Sequence, residues 1–91
     1  MIEKKLELYY FEQCPYCQFV MSALRVSSLE QKVTLLDIHE DHKLKEELIK
    51  KTGRATVPCM FIDDKPMFES RDIADWIHRY ARELQGEEGR T

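Results

Sequence analysis

Apolar and polar positions alternate with two different periodicities, and the changes between them divide the chain into short strands and amphipathic helices. Leu6–Phe11 and Val33–Ile38 are short runs rich in apolar, aromatic or β-branched residues, which is typical of buried strands. Two further apolar runs, 57–62 and 66–69, flank Asp63-Asp64-Lys65. This arrangement predicts a tight turn that joins two paired strands.

Two segments between the strands have helical spacing. From Pro15 to about Leu29, apolar residues recur every three to four positions, and a proline suits the first helical turn. Leu44, Leu48 and Ile49 mark a second amphipathic helix. Gly53 follows it and is suited to end that helix in a left-handed conformation.

The last helix has the clearest pattern in the chain. Ser70 is placed to cap its start and Gly86 to end it. Between them lies one continuous apolar stripe, formed by Ile73, Trp76, Ile77, Tyr80, Ala81 and Leu84.

The predicted element order is therefore β-α-β-α-β-β-α. The first half requires a right-handed crossover that makes its two strands parallel, and the second half adds a hairpin and a closing helix. We expect an α/β fold with a four-stranded mixed sheet and helices on both faces. Residues 1–91 form one domain, since the chain is too short for two cores, and 85–91 is predicted to fray.

The composition excludes several classes of function. The formal net charge is −3 at pH 7, and no basic cluster of the kind that binds nucleic-acid phosphates is visible. No run approaches the ~20 apolar residues that a membrane-spanning helix needs. Charges interrupt the first seven positions, where a signal peptide would have an apolar stretch. We therefore expect a cytoplasmic protein that binds neither nucleic acid nor membranes.

The candidate chemistry lies in Cys14-Pro15-Tyr16-Cys17, at the junction of a predicted strand and a predicted helix. A helix start favours a thiolate, because its unpaired N–H groups and its positive dipole end stabilise a negative sulfur. Cys14, just outside the helix, is predicted to be exposed and nucleophilic. Cys17, one turn further, is close enough to attack a mixed disulfide on Cys14 and release the substrate.

Two other interpretations of the cysteine pair are less consistent with the sequence. Half of a zinc site would need two more ligands, and His39, His42 and Cys59 do not complete any usual zinc pattern. A structural disulfide is disfavoured because the chain has three cysteines, an odd number, and the expected compartment keeps thiols reduced. Redox catalysis without a bound metal is the favoured interpretation.

The sequence resembles the glutaredoxin family over nearly its whole length. Three segments carry the resemblance: Cys14-Pro15-Tyr16-Cys17, Gly53-Arg54-Ala55-Thr56-Val57-Pro58 and Phe61-Ile62-Asp63-Asp64-Lys65. The resemblance implies a thioredoxin-like fold and a glutathione-dependent thiol–disulfide oxidoreductase. Glutathione would be the reductant, and protein disulfides and glutathionylated proteins would be the substrates.

The resemblance also implies individual roles. Cys14 would be the nucleophile and Cys17 the resolving thiol. The glutathione-binding residues would be Tyr16, Arg54, Thr56, Val57 and Pro58. Within that set, the Val57 backbone, before a cis-proline, would pair with the cysteinyl part of glutathione, and Arg54 would meet its glycine carboxylate.

One segment departs from the glutaredoxin pattern. Where glutaredoxins usually carry a Gly-Gly pair, this chain reads Phe68-Glu69-Ser70, which is similar to the N-terminal domain of glutathione transferases and to transferase-like glutaredoxins. By that resemblance Glu69 and Ser70 would hold the γ-glutamyl end of glutathione, although Ser70 also suits an ordinary N-cap. Transferase activity is not expected, because the chain ends before a second domain could begin.

Two further positions are unusual. Phe11 stands where many glutaredoxins have a lysine, and Glu12 follows it, so we expect weaker thiolate stabilisation at Cys14 than in those relatives. Cys59 is predicted to be a small buried strand residue. The alternative is a regulatory thiol at the rim of the site.

Two other functions remain open beside glutathione-dependent reduction. The chain could be a redoxin reduced directly by thioredoxin reductase, which would make the contacts with glutathione irrelevant. It could also bind an iron–sulfur cluster between two subunits, although Pro15 disfavours that. By resemblance alone, ribonucleotide reductase is a candidate partner, and a monomer is the default expectation.

Overall fold

The computed structural model describes residues 3–88. A one-turn 3₁₀ segment, Glu30–Lys32, precedes the second strand. Within the described residues, no helix is long and apolar enough to span a membrane. The strands and helices are β1 (Leu6–Tyr10), α1 (Pro15–Val26), β2 (Val33–Asp37), α2 (His42–Thr52), β3 (Cys59–Ile62), β4 (Lys65–Met67) and α3 (Ser70–Glu88).

The four strands form one mixed sheet in the order β2-β1-β3-β4. β1 and β2 are parallel, as the crossover through α1 requires, and β3 is antiparallel to both β1 and β4. The turn between β3 and β4 consists of Asp63 and Asp64, which both have positive φ, at 50° and 69°. Such a two-residue turn matches the twist of a hairpin. The predicted element order and mixed sheet are confirmed.

The two faces of the sheet are covered by different helices. Alternate residues of β1 point to opposite faces, so Leu8 belongs to one apolar cluster and Tyr9 to another. The first cluster contains the inner faces of α1 and α3. The second contains Leu48 of α2 together with Cys59 and Phe61 of β3. Helices therefore lie on both faces, as predicted.

Helix α1 ends at Val26, three residues before the predicted end. Ser28 adopts a left-handed conformation with φ 57°, and its N–H donates to the carbonyl of Arg25 at 3.1 Å. The N–H of Leu29 donates to the carbonyl of Leu24 at 2.9 Å. These are the two hydrogen bonds of a Schellman motif, which turns the chain while Leu24 and Leu29 stay in the same core.

Helix α2 is attached to the sheet differently from the other two helices. Gly53 ends it with φ 84°, as predicted. The predicted amphipathic helix is present, with Leu48 fully buried and Ile49, the third residue of its apolar pattern, 42% exposed. A polar contact supplements the single buried leucine. The Tyr9 hydroxyl donates to Glu47 at 2.9 Å and accepts from Lys51 at 3.1 Å.

The start of α3 differs from the predicted cap. The carbonyl of Glu69 accepts the N–H of Ile73 at 2.9 Å, and Ser70 is the first helical residue. Glu69 therefore occupies the N-cap position, and the prediction that Ser70 caps the helix was wrong. Ser70 stands one place inside the helix, where its own N–H is among those without a helical partner.

The end of α3 also differs from the prediction. The helix continues through Gly86 to Glu88, so Gly86 does not end it. Gly86 lacks the positive φ of a helix-ending glycine, and a glycine inside a helix costs only about 1 kcal/mol relative to alanine. Of the predicted frayed tail, 85–88 is helical, and 89–91 lies outside the described residues.

Candidate active site

Cys14 lies at the N-cap of α1, where the chain leaves β1. Its backbone is extended, with φ −80° and ψ 115°, and Pro15 takes the first helical position. The N–H of Cys17 donates to the Cys14 Sγ at 3.3 Å. The thiol thus takes the part of a capping side chain, and an N–H at the positive end of the helix faces its sulfur.

Cys14 is less accessible than predicted. Only 6% of its surface is exposed, so the expectation of an exposed thiol was wrong. The cause is the capping contact, which folds the side chain back onto the first turn, together with the Cys14 N–H bond to the Phe11 carbonyl at 3.2 Å. A disulfide can reach the sulfur only over this small exposed area.

Cys17 is completely buried beside Cys14, and all three cysteines are free thiols. Burial raises the pKa of Cys17 to about 12, and its contact with Cys14 acts in the same direction. Cys17 therefore stays protonated at neutral pH while Cys14 accepts the hydrogen bond. The two thiols thus lie one helical turn apart, Cys14 at the N-cap of α1 and Cys17 in the protein interior.

The sheet brings the start of β3 to the edge where β1 ends and the Cys14 loop begins. Tyr9 lies opposite Cys59, and the Val57–Pro58 peptide bond directly before Cys59 is cis. Pro58 is buried and Val57 is half-buried against the second apolar cluster. These residues thus lie next to the connection that carries Cys14.

The end of β4 reaches the same edge of the sheet. Met60 pairs with Met67, which places Phe68 beside the start of β3 and the α3 N-terminus directly after it. The guanidinium carbon of Arg54 lies 4.0 Å from the centroid of the Phe68 ring. Arg54, Glu69 and Ser70 are therefore grouped beside the cis-proline, although up to sixteen positions separate them in the sequence.

The predicted ligand contacts differ in exposure. Tyr16 is 67% exposed on the first turn of α1. Arg54, Thr56 and Glu69 are exposed, and Ser70 is half-buried. Within residues 3–88, the Ser70 hydroxyl makes no hydrogen bond to another group of the protein.

The remaining candidate residues are not at the reactive centre. Cys59 is completely buried, which matches the predicted strand residue rather than a thiol at the rim, and burial raises its pKa to about 11. His39 and His42 are exposed. Across the described part of the chain, no group of three or more His, Cys, Asp or Glu is arranged to hold a metal ion.

Two aromatic contacts near the site were not predicted. Phe68 stacks on Arg54, and the Phe11 ring stacks on His39 with centroids 4.0 Å apart. In the sequence, Phe11 was noticeable because it stands where many glutaredoxins have a lysine, but nothing there indicated its contact with His39. No local pattern links Arg54 with Phe68, because a helix end and a hairpin bring them together.

Known proteins share this fold and parts of this sequence. The family model for the N-terminal domain of glutathione S-transferases matches residues 8–84. Glutaredoxin 3 of Escherichia coli (strain K12) is 41% identical over 58 residues, which cover 64% of this chain and 68% of that protein.

Solved structures share the fold. Oxidized glutaredoxin 2 from Chlamydomonas reinhardtii has a TM-score of 0.66 at 23% identity, covering 94% of this chain and 83% of that chain. A glutathione transferase from Bombyx mori has a TM-score of 0.65 at 27% identity. That match covers 80% of this chain but 34% of the transferase, so the chain spans about a third of it.

The mixed sheet with two thiols at the start of α1 defines a thiol–disulfide oxidoreductase of the thioredoxin-like fold. Among such proteins, the sequence match at 41% identity covers more than two thirds of a glutaredoxin. The chain belongs to the glutaredoxin family.

Proposed function

We propose that the protein reduces protein disulfides and glutathione mixed disulfides, with glutathione as the source of electrons. The observation that carries this proposal is the grouping of an exposed arginine and a helix N-terminus beside the two-cysteine loop. Glutathione is an anionic peptide with a carboxylate at each end, so a cation and a helix N-terminus suit its two ends. Arg54 and Ser70 would bind those two ends.

The chemistry begins at Cys14. Its thiolate attacks the glutathione sulfur of a mixed disulfide, which forms a Cys14–glutathione disulfide and releases the substrate as a thiolate that takes up a proton. A second glutathione thiolate then attacks the glutathione sulfur of that disulfide. Oxidised glutathione leaves, and the Cys14 thiolate is restored. One glutathione thiol thus supplies the electron pair that reduces the substrate sulfur, and the glutathionyl group from the substrate leaves as the other half of the oxidised glutathione.

Cys17 would act when the substrate is a disulfide within a protein. After Cys14 forms a mixed disulfide with the substrate, Cys17 loses its proton, attacks the Cys14 sulfur and releases the second substrate thiol. Because burial holds Cys17 protonated, this step requires that the mixed disulfide first change its surroundings. Two glutathione molecules then reduce the Cys14–Cys17 disulfide.

The remaining contacts would fix the orientation of glutathione. The Val57 backbone before Pro58 would pair with the cysteinyl residue, and Tyr16 and Thr56 would flank it. At the γ-glutamyl end, the Glu69 carboxylate suits the ammonium group, whereas the Ser70 hydroxyl and the N–H groups of α3 suit the carboxylate. We propose a monomer that works in the reducing cytoplasm, with ribonucleotide reductase as one candidate substrate.

The test is glutathione-coupled reduction of a mixed disulfide between glutathione and a cysteinyl peptide. Cys14→Ser should abolish turnover, while Cys17→Ser should keep it and lose the reduction of an intramolecular protein disulfide. Cys59→Ala is the matched control and should retain both activities, because Cys59 is buried outside the reactive pair. An inactive wild type with glutathione that is active with thioredoxin reductase would refute the glutathione assignment.

A further inference from the structure

The contact between Arg54 and Phe68 has no role in the chemistry described above. The guanidinium carbon lies 4.0 Å from the ring centroid, within the range of a cation–π interaction. Phe68 is half-buried, and its inner side packs against the second apolar cluster, so the ring has little freedom to move. It provides a fixed surface for an otherwise mobile side chain.

The backbone of Arg54 is fixed separately. Gly53 reverses the chain with φ 84°, and the Thr52 hydroxyl donates to the Arg54 carbonyl at 2.8 Å while accepting the Arg54 N–H at 3.3 Å. These contacts determine where the side chain begins but not where it points. The stack on Phe68 determines the direction of the guanidinium.

The stack leaves the donors of Arg54 available. The guanidinium carries five N–H donors, more than a contact with a single ring can occupy. Within residues 3–88, no carboxylate pairs with Arg54 and no side-chain hydrogen bond occupies its N–H groups. Phe68 also immediately precedes Glu69, whose carbonyl accepts the first hydrogen bond of α3. The arginine is therefore held beside a helix N-terminus with its donors free.

We propose that Phe68 is a positioning residue that holds the Arg54 guanidinium in place to bind the glycine carboxylate of glutathione. This inference rests on the proposed function and adds a specificity determinant to it. Holding the side chain in advance reduces the conformational entropy lost on binding. The stack thus contributes to glutathione affinity although Phe68 itself does not touch the reacting sulfurs.

The experiment compares Phe68→Leu with Phe68→Tyr, because leucine keeps an apolar side chain without an aromatic face and tyrosine keeps the face. Circular dichroism first confirms that each variant is folded. For Phe68→Leu, the KM for glutathione should rise about two- to fivefold, as expected for the loss of an exposed cation–π contact. The kcat should not change, and Phe68→Tyr should behave as the wild type.

Two further measurements separate positioning from a merely structural role. With glutathione esterified on its glycine carboxylate, Phe68→Leu should have no effect, because the group that Arg54 binds is gone. In an Arg54→Gln background, Phe68→Leu should add no further rise in KM. An equal rise with both forms of glutathione, or effects that simply add, would overturn the proposal.

The outcomes also distinguish this inference from the function on which it rests. If the wild type shows no saturable use of glutathione, the proposed function fails, and this inference fails with it. If the wild type uses glutathione but Phe68→Leu leaves its KM unchanged, only the role of Phe68 is refuted.

Discussion

Two buried thiols should make the stability of the reduced protein fall at alkaline pH. Burial raises the pKa of Cys17 to about 12 and that of Cys59 to about 11, from an ordinary value of 9.0. Folding therefore favours the protonated thiols. Their contribution to stability is complete below pH 9 and is lost as the pH rises towards the folded values, because the unfolded chain releases its protons first.

The size of the effect follows from those values. At pH 10 the unfolded chain is about ten times more often deprotonated than protonated at each thiol, which corresponds to roughly 1 kcal/mol of lost stability per thiol. The two thiols together account for about 2–3 kcal/mol, a large share of the 5–15 kcal/mol typical of a folded domain.

The assay is urea unfolding of the reduced protein from pH 7 to pH 10, for the wild type and Cys59→Ala. The variant is less stable than the wild type because it loses buried packing at every pH. It also lacks one of the two thiols whose deprotonation destabilises the wild type at high pH. Its stability deficit should therefore shrink by roughly 1 kcal/mol between pH 7 and pH 10. Val33→Ala is the matched control, since it removes buried carbon but no titrating group, and its deficit should stay constant. A pH-independent deficit for Cys59→Ala would refute the assignment.

Four further predictions concern the scaffold of the site. Gly53→Ala should destabilise the protein by about 1 kcal/mol, because a φ of 84° strains alanine even though nothing lies within 4 Å of the added carbon. Gly86→Ala should instead stabilise the protein by up to about 1 kcal/mol, because that glycine lies inside a helix and its added carbon would meet open space. If urea unfolding showed that both glycine substitutions change the free energy of unfolding in the same direction, this reasoning would be contradicted. Asp41→Ala removes the carboxylate that accepts the Lys43 N–H at 2.9 Å and should cost about 1 kcal/mol, with Asp41→Asn as the conservative control in thermal unfolding. Leu24→Ala empties a fully buried position and should cost about 2–5 kcal/mol; a loss below 1 kcal/mol would mean that the core collapses around it.

The hydrophobic pattern was sufficient to predict the order of strands and helices. The spacing of apolar residues shows which side chains share one face of a helix or strand. In α3 the apolar face is continuous enough to identify the segment as a helix. The spacing does not show where a helix stops. Leu29 continued the helical spacing of α1 because a Schellman motif keeps it in the core after the helix has ended.

The candidate site was predictable only in part. The spacing of Cys14 and Cys17 indicated their chemistry, but not that Cys14 turns back onto the helix and becomes buried. The glutathione contacts came from a family resemblance and remain predictions. The stack of Arg54 on Phe68 could not be predicted, because it depends on how the end of α2 and the β3–β4 hairpin meet.

The weak attachment of α2 has a consequence for how the site could be observed. α2 has one fully buried apolar side chain, Leu48, so its sub-global opening requires less free energy than the unfolding of the whole domain. The segment that follows it directly carries Arg54 and Pro58. A peptide that binds there only when α2 is docked would raise the free energy of that opening by RT ln(1 + [L]/Kd), where [L] is the concentration of free peptide. Binding of a peptide to the segment after α2 would then slow amide hydrogen exchange along α2, although no residue of the helix contacts the peptide.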